Sequence, residues 1–150
     1  GTFVWCRSSN PGASELQDIE VDTDGAAGRF YELVAERAAE WTRRGNVGLV
    51  VGATFPEELR RVRELCPEMP ILIPGIGAQL GGLEEAVSYG TDSAGRNAIF
   101  NASRGIMYAS RDASDFGRAA RSEAEALRKR INWELEVQGK PLDQFIPSAT

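Results

Sequence analysis

The sequence predicts an α/β protein, a parallel sheet with its helices outside, and three observations carry that class. Short apolar runs, above all residues 47–53 and 70–74, lack polar alternation, as buried parallel strands do. Between them lie stretches whose apolar residues recur at three- and four-residue steps, the period of a helix with one buried face. The two patterns alternate along the 150 residues, and repeated strand–helix units imply parallel strands joined by right-handed crossovers.

The first strand is residues 2–9, TFVWCRSS, rich in β-branched and aromatic side chains and stopped by Asn10-Pro11-Gly12. A long polar connection, residues 13–28, leads to a helix over 29–44. Its inward face should carry Phe30, Leu33, Val34, Ala38 and Trp41, with Gly45-Asn46 as the stop. The second strand, 47–53, precedes a helix capped by Thr54, with Pro56, Glu57 and Glu58 in its first turn and Pro67 beyond its end. The third strand, 70–74, is followed by a short helix over 83–89, closed by Gly90. The fourth, 98–102, runs into Ser103-Arg104-Gly105, and residues 105–109 could form a short extra helix. A final helix spans about 114–138, with Arg118, Arg121, Glu125, Arg128 and Lys129 on its wetter side. Residues 1–138 thus make one domain of four βα units, with a tail over 139–150. An eight-unit barrel needs roughly 250 residues, so the length fits half a barrel or a small open sheet.

Composition excludes several functions. A net charge of −5 and pI near 4.9 argue against nucleic acid or an anionic membrane as partner, and no run approaches the ~18 apolar residues of a membrane span. Histidine is absent, which removes Ser-His-Asp and Cys-His catalysis and every zinc site that needs an imidazole. Cys6 and Cys66 are too few for a disulfide framework and match no metal spacing, so they read as buried thiols in a reducing, cytoplasmic setting. The cations are 15 Arg against Lys129 and Lys140. The opening GTFVWCRSS has no basic leader and no initiator Met, as in a chain that has been cut or processed.

In parallel α/β folds the chemistry gathers where the strands end and the loops to the helices begin. Residues 74–82 read PGIGAQLGG, where glycines let backbone N–H groups approach an anion and Gln79 adds an amide. No Lys-Ser/Thr follows, so this is no Walker loop. NASRG stands at the next strand end, and its Arg104 can grip two phosphate oxygens at once. Adjacent strand ends both suited to an anion point to a phosphate site. Ser8 and Ser9 have no base near them in sequence; they suit hydrogen bonding to a ligand or capping of the turn. The run Glu20-Val21-Asp22-Thr23-Asp24-Gly25 imitates a calcium loop, but its twelfth position is Tyr31 where a bidentate Glu is required, so it reads as a solvated acidic loop.

At these loops the sequence resembles the orotidine 5'-phosphate decarboxylase family, in its bacterial branch with the Ser-Asn-Pro-Gly turn. CRSSNPGASELQD, GNVGLVVGATFPEEL, PILIPGIGAQLGGLE and NASRGIMYAS carry the resemblance. It covers nearly the whole chain and corresponds to strands 5–8 of that family's TIM (β/α)8 barrel, hence a half-barrel. The resemblance implies conversion of orotidine monophosphate to uridine monophosphate (UMP) and CO2 without metal or cofactor. It implies that Ser9 bonds the pyrimidine, that Gln79 bridges ring and phosphate, and that Gly75, Gly77 and Arg104 hold the phosphate. The family's Asp-x-Lys-x-x-Asp array is missing, so no catalytic residue is expected here and the chain alone should be inactive. Its implied partners are an N-terminal half-barrel or a second copy of itself. The rival expectation is a non-catalytic, self-associating scaffold with a vestigial phosphate site.

Overall fold

In a computed structural model of the chain, the residues described are 1–23, 26–42, 44–76 and 82–140. β1 (Thr2–Arg7) leads through a 3-10 turn (Pro11–Ala13) to α1 (Ser14–Gln17), then to β2 (Glu20–Thr23) and β3 (Ala26–Arg29). There follow α2 (Phe30–Trp41), β4 (Val47–Val51), α3 (Pro56–Leu65), β5 (Ile71–Pro74), α4 (Leu83–Gly90), β6 (Ala98–Asn101), α5 (Ser103–Met107) and α6 (Phe116–Val137).

The main sheet is four-stranded and parallel, in the order β1-β4-β5-β6. Spatial order follows chain order, and the helices lie on one face. A doubly wound sheet would reverse its order and cover both faces; this winding is that of a barrel arc. Cys6, Leu49, Val51, Ile71 and Ile73 point toward the helices and are almost wholly buried. The alternate residues face the other way. Trp5 pairs with Val50, Val50 with Leu72 and Leu72 with Ile99, making one row across the sheet. Trp5 is 60% exposed and Ile99 48%, and the Phe3 ring lies over Gly48. The apolar strands are therefore covered on the helix side and open on the other, as a half-barrel's inner face would be.

Several local expectations are corrected. The polar connection contains an antiparallel hairpin, β2 with β3, joined to the domain where Phe30 N–H donates to Ile19 C=O at 3.0 Å. Glu32 fastens it further: its carboxylate accepts from the Arg29 N–H at 2.7 Å and from the Arg61 guanidinium. Burial raises the Glu32 carboxyl, but those hydrogen bonds outweigh it and hold it below its ordinary value. α2 is seated on Tyr31, Ala35 and Ala38, while Trp41 is 58% exposed. The small alanines let the helix backbone come close, and the Cys6 and Cys66 thiols donate to the carbonyls of Tyr31 (3.2 Å) and Ala35 (3.4 Å). α3 begins after Phe55 with no side-chain cap, and Thr54 is exposed. Among the described residues no helix is long and apolar enough to cross a membrane.

At the N-terminal ends of β5 and β6 the guanidinium of Arg63 is buried and fully used. It donates to the carbonyls of Cys66, Pro67, Met69, Gly90 and Asn97 at 2.6–3.1 Å. One side chain so closes the last turns of α3 and α4 onto the loops that enter the two strands.

Candidate phosphate and base site

At the C-terminal end of β1, Arg7 is buried and internal. It pairs with Asp18 at 2.9 Å, donates to the Ser8 carbonyl at 2.7 Å and lies 4.1 Å over the Phe55 ring. Ser8 belongs to the turn: its N–H donates to Gln17 Oε1 at 2.8 Å, and its hydroxyl accepts the Asn10 N–H at 3.0 Å. Ser9 differs. Its Oγ is buried and has no hydrogen-bond partner among the described residues, a state that native hydroxyls rarely keep without a ligand or water to meet.

The neighbouring strand ends explain where that hydroxyl sits. Gly52 N–H donates to Arg7 C=O at 2.8 Å and Ala53 N–H to Pro74 C=O at 2.9 Å, so β1, β4 and β5 remain laced as they end. By strand alternation Gly52 faces the same way as Val50, onto the open inner face. A methyl placed on Gly52 would overlap Ser9 Oγ, and one on Gly75, whose φ is +96°, would lie 3.2 Å from it. Ser9 Oγ thus rests on the inner face between two strand ends that carry no side chain. Gly77 and Gln79 lie outside the described residues.

β5 and β6 pair up to Pro74 and Asn101, so their ends are adjacent. Arg104, in α5 just beyond β6, is exposed, and its side chain has no hydrogen-bond or ion-pair partner among the described residues. It borders an open cleft of about 810 Å³ with Gly75, Asn101, Tyr108 and Glu123. A guanidinium uncommitted within the protein, beside a glycine strand end, can take a phosphate dianion through paired N–H donors. Gly75 and Arg104 share this cleft, and Gly75 touches the Ser9 berth, so the three residues lie along one edge of the sheet. Gly52 lies in an expected strand and Tyr108 falls in the expected short helix over 105–109, but neither is singled out by the sequence as a site residue; Glu123 reads there as one more charge on a wet helix.

Among the described residues, the titratable side chains bordering this cleft are Arg104, Tyr108 and Glu123. No histidine exists in the chain. Lys140 is spent elsewhere, donating to Ser88 C=O at 3.0 Å and Thr91 Oγ1 at 2.6 Å. Among the described residues no three His, Cys, Asp or Glu side chains are grouped to hold a metal.

Residues 1–119 match the model of the orotidine 5'-phosphate decarboxylase / HUMPS family. An orotidine 5'-phosphate decarboxylase of Ralstonia nicotianae is 51% identical over 133 residues, which cover 88% of this chain and 47% of that protein. Among solved structures, Leishmania donovani UMP synthase is 41% identical with a TM-score of 0.71, over 88% of this chain and 27% of its own. Leishmania donovani OMP decarboxylase is 38% identical with a TM-score of 0.68, over 87% of this chain and 47% of its own. The chain spans about half the length of the curated relatives it matches.

Proposed function

This chain belongs to the orotidine 5'-phosphate decarboxylase / HUMPS family, and from that premise we propose that it supplies the phosphate- and pyrimidine-binding half of an orotidine 5'-phosphate decarboxylase, which converts orotidine monophosphate to UMP and CO2. The observation that carries this is the uncommitted Arg104 guanidinium at a glycine strand end, on the edge that also holds the unpaired Ser9 hydroxyl. In this reading Arg104 and Gly75, with Gly77, hold the phosphate, Gln79 bridges ring and phosphate, and Ser9 meets the pyrimidine. The branch with the Ser-Asn-Pro-Gly turn, and correspondence to barrel strands 5–8, belong to the same proposal.

Grip on a phosphate remote from the reacting carbon is useful because its binding energy can be spent on closing the site and lowering the barrier at the ring. The proton donor and the charges near the leaving carboxylate come from an N-terminal half-barrel bearing the Asp-x-Lys-x-x-Asp array. That half would cover the inner-face row Trp5, Val50, Leu72 and Ile99, whose outer members Trp5 and Ile99 are exposed, and pair the edges of β1 and β6. The chain alone binds and does not turn over. Pyrimidine synthesis in a reducing cytoplasm suits its two free, buried thiols.

Calorimetric titration of UMP into the chain, with uridine and Arg104→Ala as controls, tests this. Binding that needs both the phosphate and Arg104 is expected. Uridine binding as tightly as UMP would overturn it. The second reading, a self-associating scaffold, is favoured by the same open apolar face; it predicts a concentration-dependent oligomer that ignores UMP.

A further inference from the structure

We infer that Gly52 is the positioning residue for the Ser9 hydroxyl: its missing side chain leaves, where β4 ends, the notch that holds this oxygen, buried and without a hydrogen-bond partner among the described residues. The inference rests on the proposed role of Ser9 above and extends it to a residue that touches no ligand itself. Two causes could place a glycine here, and they separate cleanly. One is backbone conformation, but Gly52 is not among the residues with positive φ, so its backbone is one that any L-residue adopts. The other is space. A methyl on Gly52 would overlap Ser9 Oγ and stand 2.8 Å from Ser9 N and 3.0 Å from its Cβ. Space is therefore the reason.

The surroundings fix the rest. The Gly52 N–H is held by Arg7 C=O and the next N–H by Pro74 C=O, so β4 cannot back away from a larger side chain without breaking its ladders. Ser9 is the element that would have to yield. It is flanked by Gly75 on the other side, and Ser8 beside it is tied to Gln17 and Asn10. A side chain at position 52 would thus turn the Ser9 hydroxyl out of its berth while leaving Arg104, two strands away, untouched.

The experiment compares wild type, Ser9→Ala, Gly52→Ala and the double variant, with Gly117→Ala as control because a methyl there meets nothing within 4 Å. Two readouts are taken on the whole chain: the Ser9 Cβ resonance in serine-labelled protein, and the affinity for UMP relative to ribose 5-phosphate. Gly52→Ala should shift the Ser9 resonance without ligand, and Gly117→Ala should not. Each single variant should lower the preference for UMP about fivefold or more, with no further loss in the double and ribose 5-phosphate affinity unchanged. A merely structural glycine would weaken both ligands alike. An unmoved Ser9 resonance, or a preference for UMP that survives Gly52→Ala, overturns the inference. Should wild type itself show no preference for UMP, the pyrimidine role of Ser9 fails, and the resonance alone judges the notch. Should Gly52→Ala fail to fold, Ser9→Gly is added to it: recovery of the fold supports a clash with the Ser9 side chain, and continued failure overturns it.

Discussion

Two arginines at opposite ends of the sheet have opposite circumstances. Arg63, where β5 and β6 begin, is buried and spends its guanidinium on the carbonyls of Cys66, Pro67, Met69, Gly90 and Asn97. Arg104, just past the end of β6, is exposed and has no partner among the described residues. The contrast extends to hydroxyls: Thr91 Oγ1, near Arg63, donates to Val87 C=O at 2.7 Å, whereas Ser9 Oγ has no partner among the described residues. Saturated polar groups hold a fold together. Unsaturated ones in the same molecule cost stability and persist where something else will meet them. Of these four groups, the saturated pair lies where β5 and β6 begin and the uncommitted pair where strands end, the end at which the loops of a barrel gather.

The largest effect expected on this comparison is at the saturated end. Arg63→Met keeps most of the volume but strips hydrogen bonds from several buried carbonyls, and should cost about 3–5 kcal/mol of stability. Denaturant unfolding reads it. A loss below about 1 kcal/mol would mean that water replaces the guanidinium, and that the two ends differ less than their hydrogen bonds imply.

Arg104→Ala should do the reverse. Stability should stay within about 0.5 kcal/mol of wild type, as for an exposed side chain with no partner. Affinity for UMP should fall roughly 10- to 100-fold, the worth of a hydrogen-bonded charge pair. Unfolding and titration of one preparation separate the two. An Arg104 variant that unfolds readily would place this residue with Arg63 and dissolve the contrast.

The main sheet was legible in the sequence because continuous apolar runs bounded by Gly and Pro have few other uses, and Arg104 stood out as a cation at a strand end. The hairpin of Glu20–Thr23 with Ala26–Arg29 was not, since EVDT and AAGR have neither the length nor the apolar alternation of a typical strand. Its support comes from Glu32, three residues beyond the hairpin, and through it from Arg61, remote in sequence. The α2 seat was legible in part: Ala38 is buried as expected, whereas Trp41 is exposed, and Ala35 was missed because an alanine weighs little in an apolar pattern, though smallness is what brings the helix close. Ser8 and Ser9 are chemically alike in the sequence. Only the positions of Gln17 Oε1, the Asn10 N–H and Gly52 distinguish Ser8, a turn cap, from Ser9, whose hydroxyl lies against two glycines.

A third effect acts on the buried side of the sheet through pH. Desolvation pushes the Cys6 thiol up to about 12 from an ordinary 9.0, with a further push from Cys66, and Arg7 opposes them. The unfolded chain ionises this thiol first, so its contribution to stability is complete below pH 9 and is lost as pH rises toward 12. The decline should reach at most about 1.4 kcal/mol per pH unit from this group, and Cys6→Ala should flatten it. An unchanged slope in that variant would assign the alkaline loss to other groups, with Tyr31, also raised to about 12 by burial, the first to examine.

The smallest effect is expected on the open face, where the two sides of the same strands can be set against each other. Trp5 and Ile99 are 60% and 48% exposed, while Cys6 and Ile73 are 1% and 0%. Replacing exposed apolar groups forfeits little burial, so Trp5→Ser with Ile99→Thr should change stability by less than about 1 kcal/mol. Ile73→Ala, on the helix side, should cost about 2–5 kcal/mol. The open-face pair should also weaken any self-association seen by analytical centrifugation, because the apolar row is the surface a second copy or a completing half would cover. If the pair instead destabilises the chain as much as Ile73→Ala does, that face is already covered in solution, and the open sheet must be read as one layer of a larger assembly.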